Sequence, residues 1–256
     1  MKKTLQLFTV LALSLLALTC EDNDDTQAQL EVTFAFTHNW DGTVINDQNL
    51  MSTTVTNQNG ETMEFSRLRY LVSRFELVSQ NGVTYSFDGY KFTDLSDPQT
   101  YNFTPMNNTI TSGNYTLRFV WGFNEADNID GGYVDLNSAS WNWPPMLGGG
   151  YHFLQFDGFY NVNTSSSPFN FHNGTARAST NPDVFEQNFA VIELSNNITI
   201  TNNAIIEVEM NIAEFFKNPH QWDLNVLDTP LMPNYMAQKM MQDNVETVFS
   251  LGTITQ

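Results

Sequence analysis

The 256-residue chain has one cysteine, four histidines, and ten lysine and arginine side chains against 28 acidic ones. A single cysteine excludes a disulfide framework and any cysteine-built zinc or iron–sulfur centre. The shortage of basic residues leaves a formal charge of −18. That excludes a nucleic-acid binder, because nothing displaces counterions from phosphates. Charged residues make up only 15% of the chain, so the Glu/Lys-rich composition of disordered segments and coiled coils is missing too. No Ser-centred elbow or zincin helix is present, and Gly148-Gly149-Gly150 lacks the Gly-Lys-Ser/Thr continuation of a phosphate loop. Carboxylates are plentiful, but nothing in their spacing pairs two as a glycosidase dyad. The chain reads as a non-enzymatic protein.

What is present begins with the cysteine. Met1-Lys2-Lys3 is a basic start, Leu5 to Leu18 is mostly apolar, and Ala17, Leu18 and Thr19 lead into Cys20. The stretch is short for a membrane span and has the order of a bacterial secretory signal. Its ending on the only cysteine marks residues 1–19 as a lipoprotein signal with Cys20 as the lipidated N-terminus, although Thr19 stands where Gly, Ala or Ser is usual. The other reading is an ordinary signal peptide that leaves a free thiol. Removing residues 1–19 leaves eight basic side chains against 28 acidic ones, a charge of −20. Residues 20–29, with Glu21, Asp22, Asp24 and Asp25, read as an acidic tether. They are similar to the tethers of surface lipoproteins in Bacteroidetes-type bacteria, which places the protein in the cell envelope, anchored to the outer membrane on its periplasmic or outer face.

From Leu30 the pattern alternates with period two. Val32, Phe34 and Phe36 share one face, and Thr33, Ala35 and Thr37 take the other. Leu68 to Val78 forms a longer strand that runs into Asn81-Gly82, a hairpin signal. Further strands are expected at Tyr115–Phe123, Tyr151–Phe156, Phe189–Leu194, Ile198–Ile200 and Ile205–Ile212. Helix is scarce. Tyr235 to Phe249 is expected as one helix with Met236, Met240, Val245 and Phe249 on a common face, and Ala213 to Lys217 as a helical turn. The pattern predicts one all-β domain over residues 30–256: an antiparallel sandwich or barrel-like fold with one or two short helices.

Three of the histidines stand in distinctive places. His38 continues the Val32, Phe34, Phe36 face; His152 follows the three glycines; His172 ends the aromatic segment Phe169-Asn170-Phe171. An inward imidazole must find a hydrogen-bond partner or a metal. Each alone reads as a satisfied core or rim histidine, while the three together allow a soft-metal site, since imidazole suits copper and zinc. His220 reads as a surface residue. Met232, Met236, Met240 and Met241 are soft donors, but their spacing is that of core packing. The loop Asn124 to Gly132 is rich in oxygen ligands but lacks the alternating acids of an EF-hand.

Several segments together resemble the MbnP-like copper-binding proteins, a family of secreted or lipid-anchored bacterial proteins. Phe34-Ala35-Phe36-Thr37-His38 resembles the family's opening strand, and Phe65 to Leu77 its Leu-x-Tyr-x-x-Ser strand. Trp141-Asn142-Trp143 with Gly150-Tyr151-His152-Phe153-Leu154-Gln155-Phe156-Asp157-Gly158 resembles its Trp-x-Trp and Gly-Tyr block. Phe169 to Gly174 resembles its Phe-His-x-Gly segment. Pro144 to Leu147 and the extra glycines make this block longer than usual, with Met146 an added soft donor. The resemblance implies a β-rich fold and one bound copper ion, as Cu(I), captured, stored or handed off without an organic cofactor. It implies His38 and His172 as leading ligands and His152 as a third. It also implies a di-haem cytochrome c peroxidase-like partner able to oxidise tryptophan to kynurenine, with Trp143, Trp141 and Trp40 as candidates for modification or for lining the site. The contrasting function class is a metal-free surface module that binds glycans or a protein through exposed aromatic loops.

Overall fold

Period-two alternation builds two facing sheets, and the apolar side of each supplies the core between them. The computed structural model describes residues 28–181 and 183–256. The expected signal segment, Cys20 and all of the acidic tether except Ala28 and Gln29 lie outside the described residues. The long strands are β1 (Leu30–Trp40), β2 (Thr62–Ser79), β3 (Gly113–Trp121), β4 (Leu154–Tyr160), β5 (Ser167–Asn173), β6 (Ala190–Ile200), β7 (Ala204–Asn211) and β8 (Phe249–Thr255). One sheet runs β8–β7–β1 and ends on the short strand Thr43–Val44; the other runs β5–β4–β2–β3–β6. Pairing is antiparallel throughout except between β1 and β7, which run parallel from Val32 opposite Ala204 to Asn39 opposite Asn211. The expected all-β sandwich is the observed architecture.

The core between the sheets is aromatic. Phe34 of β1 stacks on Phe75 of β2 at 4.9 Å, Phe75 meets Phe119 of β3 at 5.6 Å, and Tyr70 stacks on Trp121 at 5.9 Å. Such rings combine a large buried area with favoured stacked and edge geometries. In the middle of β2 the alternation breaks, and Tyr70, Leu71, Val72 and Ser73 are all buried. The outer face there is covered as well: residues 122–153, including the short helix α1 (Val134–Ser138), fold back over the sheet. Leu71 donates its N–H to the Phe153 carbonyl and accepts from Gly122 N–H. Gly122 has φ +76°, and a Cβ there would lie 2.2 Å from the Phe153 ring, so only glycine allows this return.

Several boundaries differ from expectation for identifiable reasons. The helix α2 covers Tyr235–Asn244, a 3-10 turn follows over Val245–Thr247, and Phe249 already opens β8. Its buried residues are Ala237, Gln238, Met241 and Asn244, not Met236 and Met240. Polar side chains occupy that face because they bond backbone: Asn244 donates to the carbonyls of Phe215 and His220. β4 starts at Leu154 and continues through Asp157 and Gly158, past the expected end at Phe156. The segments at 189–194 and 198–200 form the single strand β6, with a register shift between Leu194 and Ile198.

Candidate metal centre

His152 is placed by a turn that requires glycine. Gly148, Gly149 and Gly150 have φ of +111°, +66° and +79°, and a Cβ on Gly150 would fall 2.3 Å from Asn128 Oδ1. That same oxygen accepts the Tyr151 N–H at 2.9 Å, and Asp130 Oδ1 accepts the Gly150 N–H. Asp127 of this oxygen-rich loop pairs with Arg74 at 2.5 Å. These carboxylate and amide oxygens thus shape the turn. Across it, Trp141-Asn142-Trp143 pairs antiparallel with Gly150-Tyr151-His152: Trp143 N–H donates to the Gly150 carbonyl and His152 N–H to the Trp141 carbonyl, both at 2.9 Å. The Trp141 carbonyl also accepts from His152 Nδ1 at 3.1 Å. A carbonyl can only accept, so Nδ1 carries the proton and Nε2 the lone pair. Burial first, then the charge of His172, pushes the His152 imidazole down to about 3, so it is neutral at physiological pH.

His172 faces outward from β5 while Phe169 and Phe171 enter the core. Its Nε2–H donates to Asp157 Oδ1 at 2.8 Å, so Nδ1 is the ring nitrogen that the carboxylate does not engage. Asp157 lies on the same outer face of β4 and also accepts from Asn170 Nδ2 at 2.6 Å and from Arg67 at 2.5 Å. Its burial would raise the carboxyl, but the hydrogen bond and charge of His172, with Asn170 and Arg67, outweigh it and hold the group at about 2. Gln238 of α2 holds the strand end: its Nε2 donates to the His172 carbonyl at 2.7 Å, and its Oε1 accepts from Gly174 N–H and Asn173 Nδ2 at 3.2 Å.

These two scaffolds converge. The His152 and His172 rings lie 5.4 Å apart between centres at 80°. Trp143 packs on His152 at 4.9 Å and Trp141 at 5.5 Å. Trp143 is seated by Gly174, where a Cβ would come within 2.6 Å of the indole, and its Nε1–H donates to the Leu147 carbonyl. Trp141 Nε1 is buried with no hydrogen-bond partner. Arg69 lies over the Trp141 ring at 5.4 Å and donates to Gln155.

His38 and Trp40 are elsewhere. His38 points into the core from β1, where its Nε2 meets Tyr70 Oη at 2.9 Å and its ring lies 5.1 Å from Tyr101. Its Nδ1 is buried without a partner, and burial pushes the imidazole down to about 3. Tyr70 packs on the inner side of the larger sheet, against Phe36 and Trp121. Asp157 and His172 occupy the outer side, so the sheet separates His38 from the His152–His172 pair. Trp40 packs on Phe65 and Phe216. Among the described residues, no three His, Cys, Asp or Glu side chains gather as a ready metal cage. All five tryptophans are buried, which removes the exposed indoles that a surface glycan platform would use. His220 pairs with Asp243 at the surface. Asp157, Gln238 and Asn128 went unassigned in the sequence; only the polar break in Leu154-Gln155-Phe156-Asp157 hints at the first.

The family model for MbnP matches residues 29–237. The chain belongs to the MbnP family. Among solved structures, MbnP from Methylosinus trichosporium matches with a TM-score of 0.58 and 13% identity, over 88% of this chain and 99% of that one. At that identity the likeness is one of fold. Among curated proteins none matches. The family match spans both outer histidines and the Trp141–Trp143 pair, and it ends within α2.

The spacing of the His152 and His172 rings can be compared with that of two imidazoles on one ion. A metal about 2 Å from each ligating nitrogen stands about 3.2 Å from each ring centre, so two imidazoles sharing one ion have centres about 5–6 Å apart. The observed 5.4 Å falls in that range. Each ring's second nitrogen is tied to a carbonyl or carboxylate, the arrangement that fixes the tautomer and orientation of a ligating histidine.

Proposed function

We propose that this MbnP-family protein binds one copper ion through His152 and His172 and carries it in the bacterial cell envelope, for capture, storage or hand-off. The observation that carries the reading is the convergence of two imidazoles, each with one ring nitrogen already hydrogen-bonded to a carbonyl or carboxylate. Copper supplies no chemistry to a substrate in this reading. The chain's own residues bind it and keep water away. Two imidazoles and an apolar surround suit Cu(I), which accepts few ligands and soft donors. Arg67 and Arg69 add positive charge beside the pair, which disfavours the more highly charged Cu(II). Asp157 and the Trp141 carbonyl orient the rings, and Trp141 and Trp143 form the dry wall. His38 belongs to the core in this assignment.

Trp141 and Trp143 are also the tryptophans placed for oxidation to kynurenine by a di-haem peroxidase-like partner, because they flank His152 and Trp40 does not. Kynurenine adds about 4 Da to a tryptophan, and intact mass of protein from its native host reads it directly. Anchoring through Cys20 is tested in the same host, where a Cys20→Ser variant is expected in the soluble fraction.

Titration of the mature domain with Cu(I) against a competing chelator tests the copper reading. One ion per chain is expected, with His152→Ala and His172→Ala each losing it and His38→Phe, where it folds, keeping it. Absence of stoichiometric copper, or retention by the His152→Ala/His172→Ala double variant, contradicts the assignment.

A further inference from the structure

Beside His172 the surface opens into a cleft of about 440 Å³ whose lining includes Met146 and Met232. The two methionines come from segments far apart in the chain. Met146 sits in the 3-10 turn Pro145–Leu147, behind Pro144, and Met232 lies between Pro230 and Pro233. Proline fixes φ in both segments and stiffens the backbone that presents each thioether. Core packing does not explain the pair. Met146 is 72% exposed and Met232 is half-buried at the cleft wall, whereas Met241 is the methionine of α2 that fills the core. No lysine, arginine, aspartate or glutamate lines the cleft. A soft thioether therefore meets neither a competing cation nor a hard carboxylate there.

We propose that Met146 and Met232 form a thioether site for Cu(I) in this cleft, from which the ion passes to His172. The inference rests on the copper reading above and extends it from where the ion is held to how it arrives. Thioethers are soft ligands without a titrating proton, so they select Cu(I) over Cu(II), zinc and the hard cations, and they release the ion readily to imidazole. Transfer needs no change of oxidation state: one thioether bond to copper breaks as the His172 nitrogen bond forms, and the second breaks as the His152 nitrogen bond forms. The acid excess of the chain concentrates cations near the surface in a way that does not discriminate between them. The methionines supply the discrimination.

The test follows the methionine methyl groups by NMR on the mature domain, with Ag(I) as a redox-stable stand-in for Cu(I). Met146→Leu and Met232→Leu assign the signals at nearly constant volume. The expected result is a shift of both methyls on adding Ag(I). In the Met146→Leu/Met232→Leu double variant, the rate of Cu(I) uptake from a chelator falls at least about tenfold, with one ion still bound at the end. Unmoved methyls with one copper ion bound would overturn the thioether site and leave the histidine assignment standing. Unchanged uptake in the double variant would overturn it equally. Binding of neither Ag(I) nor Cu(I) overturns both readings.

Discussion

At the scale of single residues, the proposed centre depends on side chains that would not touch the ion. Asp157 accepts a hydrogen bond from His172 Nε2–H and thereby leaves Nδ1 as the nitrogen available to a ligand. Asp157→Asn keeps the shape but offers an amide in place of a carboxylate, so copper affinity is expected to fall about 10–100-fold. Chelator competition measures this, and an unchanged affinity would show that the carboxylate has no orienting role. Gly174 works by absence, because its missing Cβ is what lets the Trp143 ring lie 2.6 Å from that position. Gly174→Ala is expected to cost about 1–3 kcal/mol of stability by overpacking and to shift the tryptophan fluorescence. Urea unfolding followed at that emission reads both effects.

At the scale of elements, α2 is a brace for β5. Gln238 is fully buried and bonds the His172 carbonyl, the Gly174 N–H and the Asn173 side chain together. Gln238→Leu keeps most of the volume but strands these groups without partners, so about 1–3 kcal/mol of stability is expected to go. Hydrogen exchange should rise at Gly174 ahead of the rest of β5; uniform exchange along the strand would contradict the brace. The strands themselves were legible from alternation, as Val32, Phe34 and Phe36 illustrate. The helix was harder. Its methionine spacing pointed to Met236 and Met240, whereas the buried face carries Gln238 and Asn244, whose backbone partners lie far away in sequence. The parallel pairing of β1 with β7 was hidden for the same reason, since alternation fixes which side is buried but not which neighbour a strand finds. The site divides along this line. His152 and His172 stood out as residues, but their convergence depends on a turn built by Asn128 and Asp130 and on a register between β4 and β5. His38 shares the strand-end signature, and only the sheet lying between shows that it faces the other way.

At the scale of the whole molecule, two buried imidazoles link folding to pH. His38 and His152 are both held at about 3 in the folded chain, against about 6.5 when unfolded. Below 6.5 the unfolded chain therefore binds protons that the folded chain refuses, and stability falls with falling pH. Each group contributes up to about 1.4 kcal/mol per pH unit between 6.5 and 3. Asp157, held at about 2, adds to the loss as pH drops below its ordinary 3.8. Thermal unfolding of the metal-free domain should show a Tm that declines steadily from pH 6.5 to 4, less steeply in a His38→Phe variant if that core accepts the ring. A flat profile would mean that the imidazoles are not buried as described. Copper is expected to offset part of this fall down to the pH at which protons displace it, because an ion that binds only the folded chain stabilises it.

The same molecule offers a direct view of the centre. A crystal of the copper-loaded mature domain, measured at the copper absorption edge, locates the ion without reference to any ligand assignment. The expected result is one anomalous peak per chain, about 2 Å from His152 Nε2 and from His172 Nδ1. A peak beside His38 and Tyr70, or none in a crystal grown from stoichiometrically loaded protein, would contradict it.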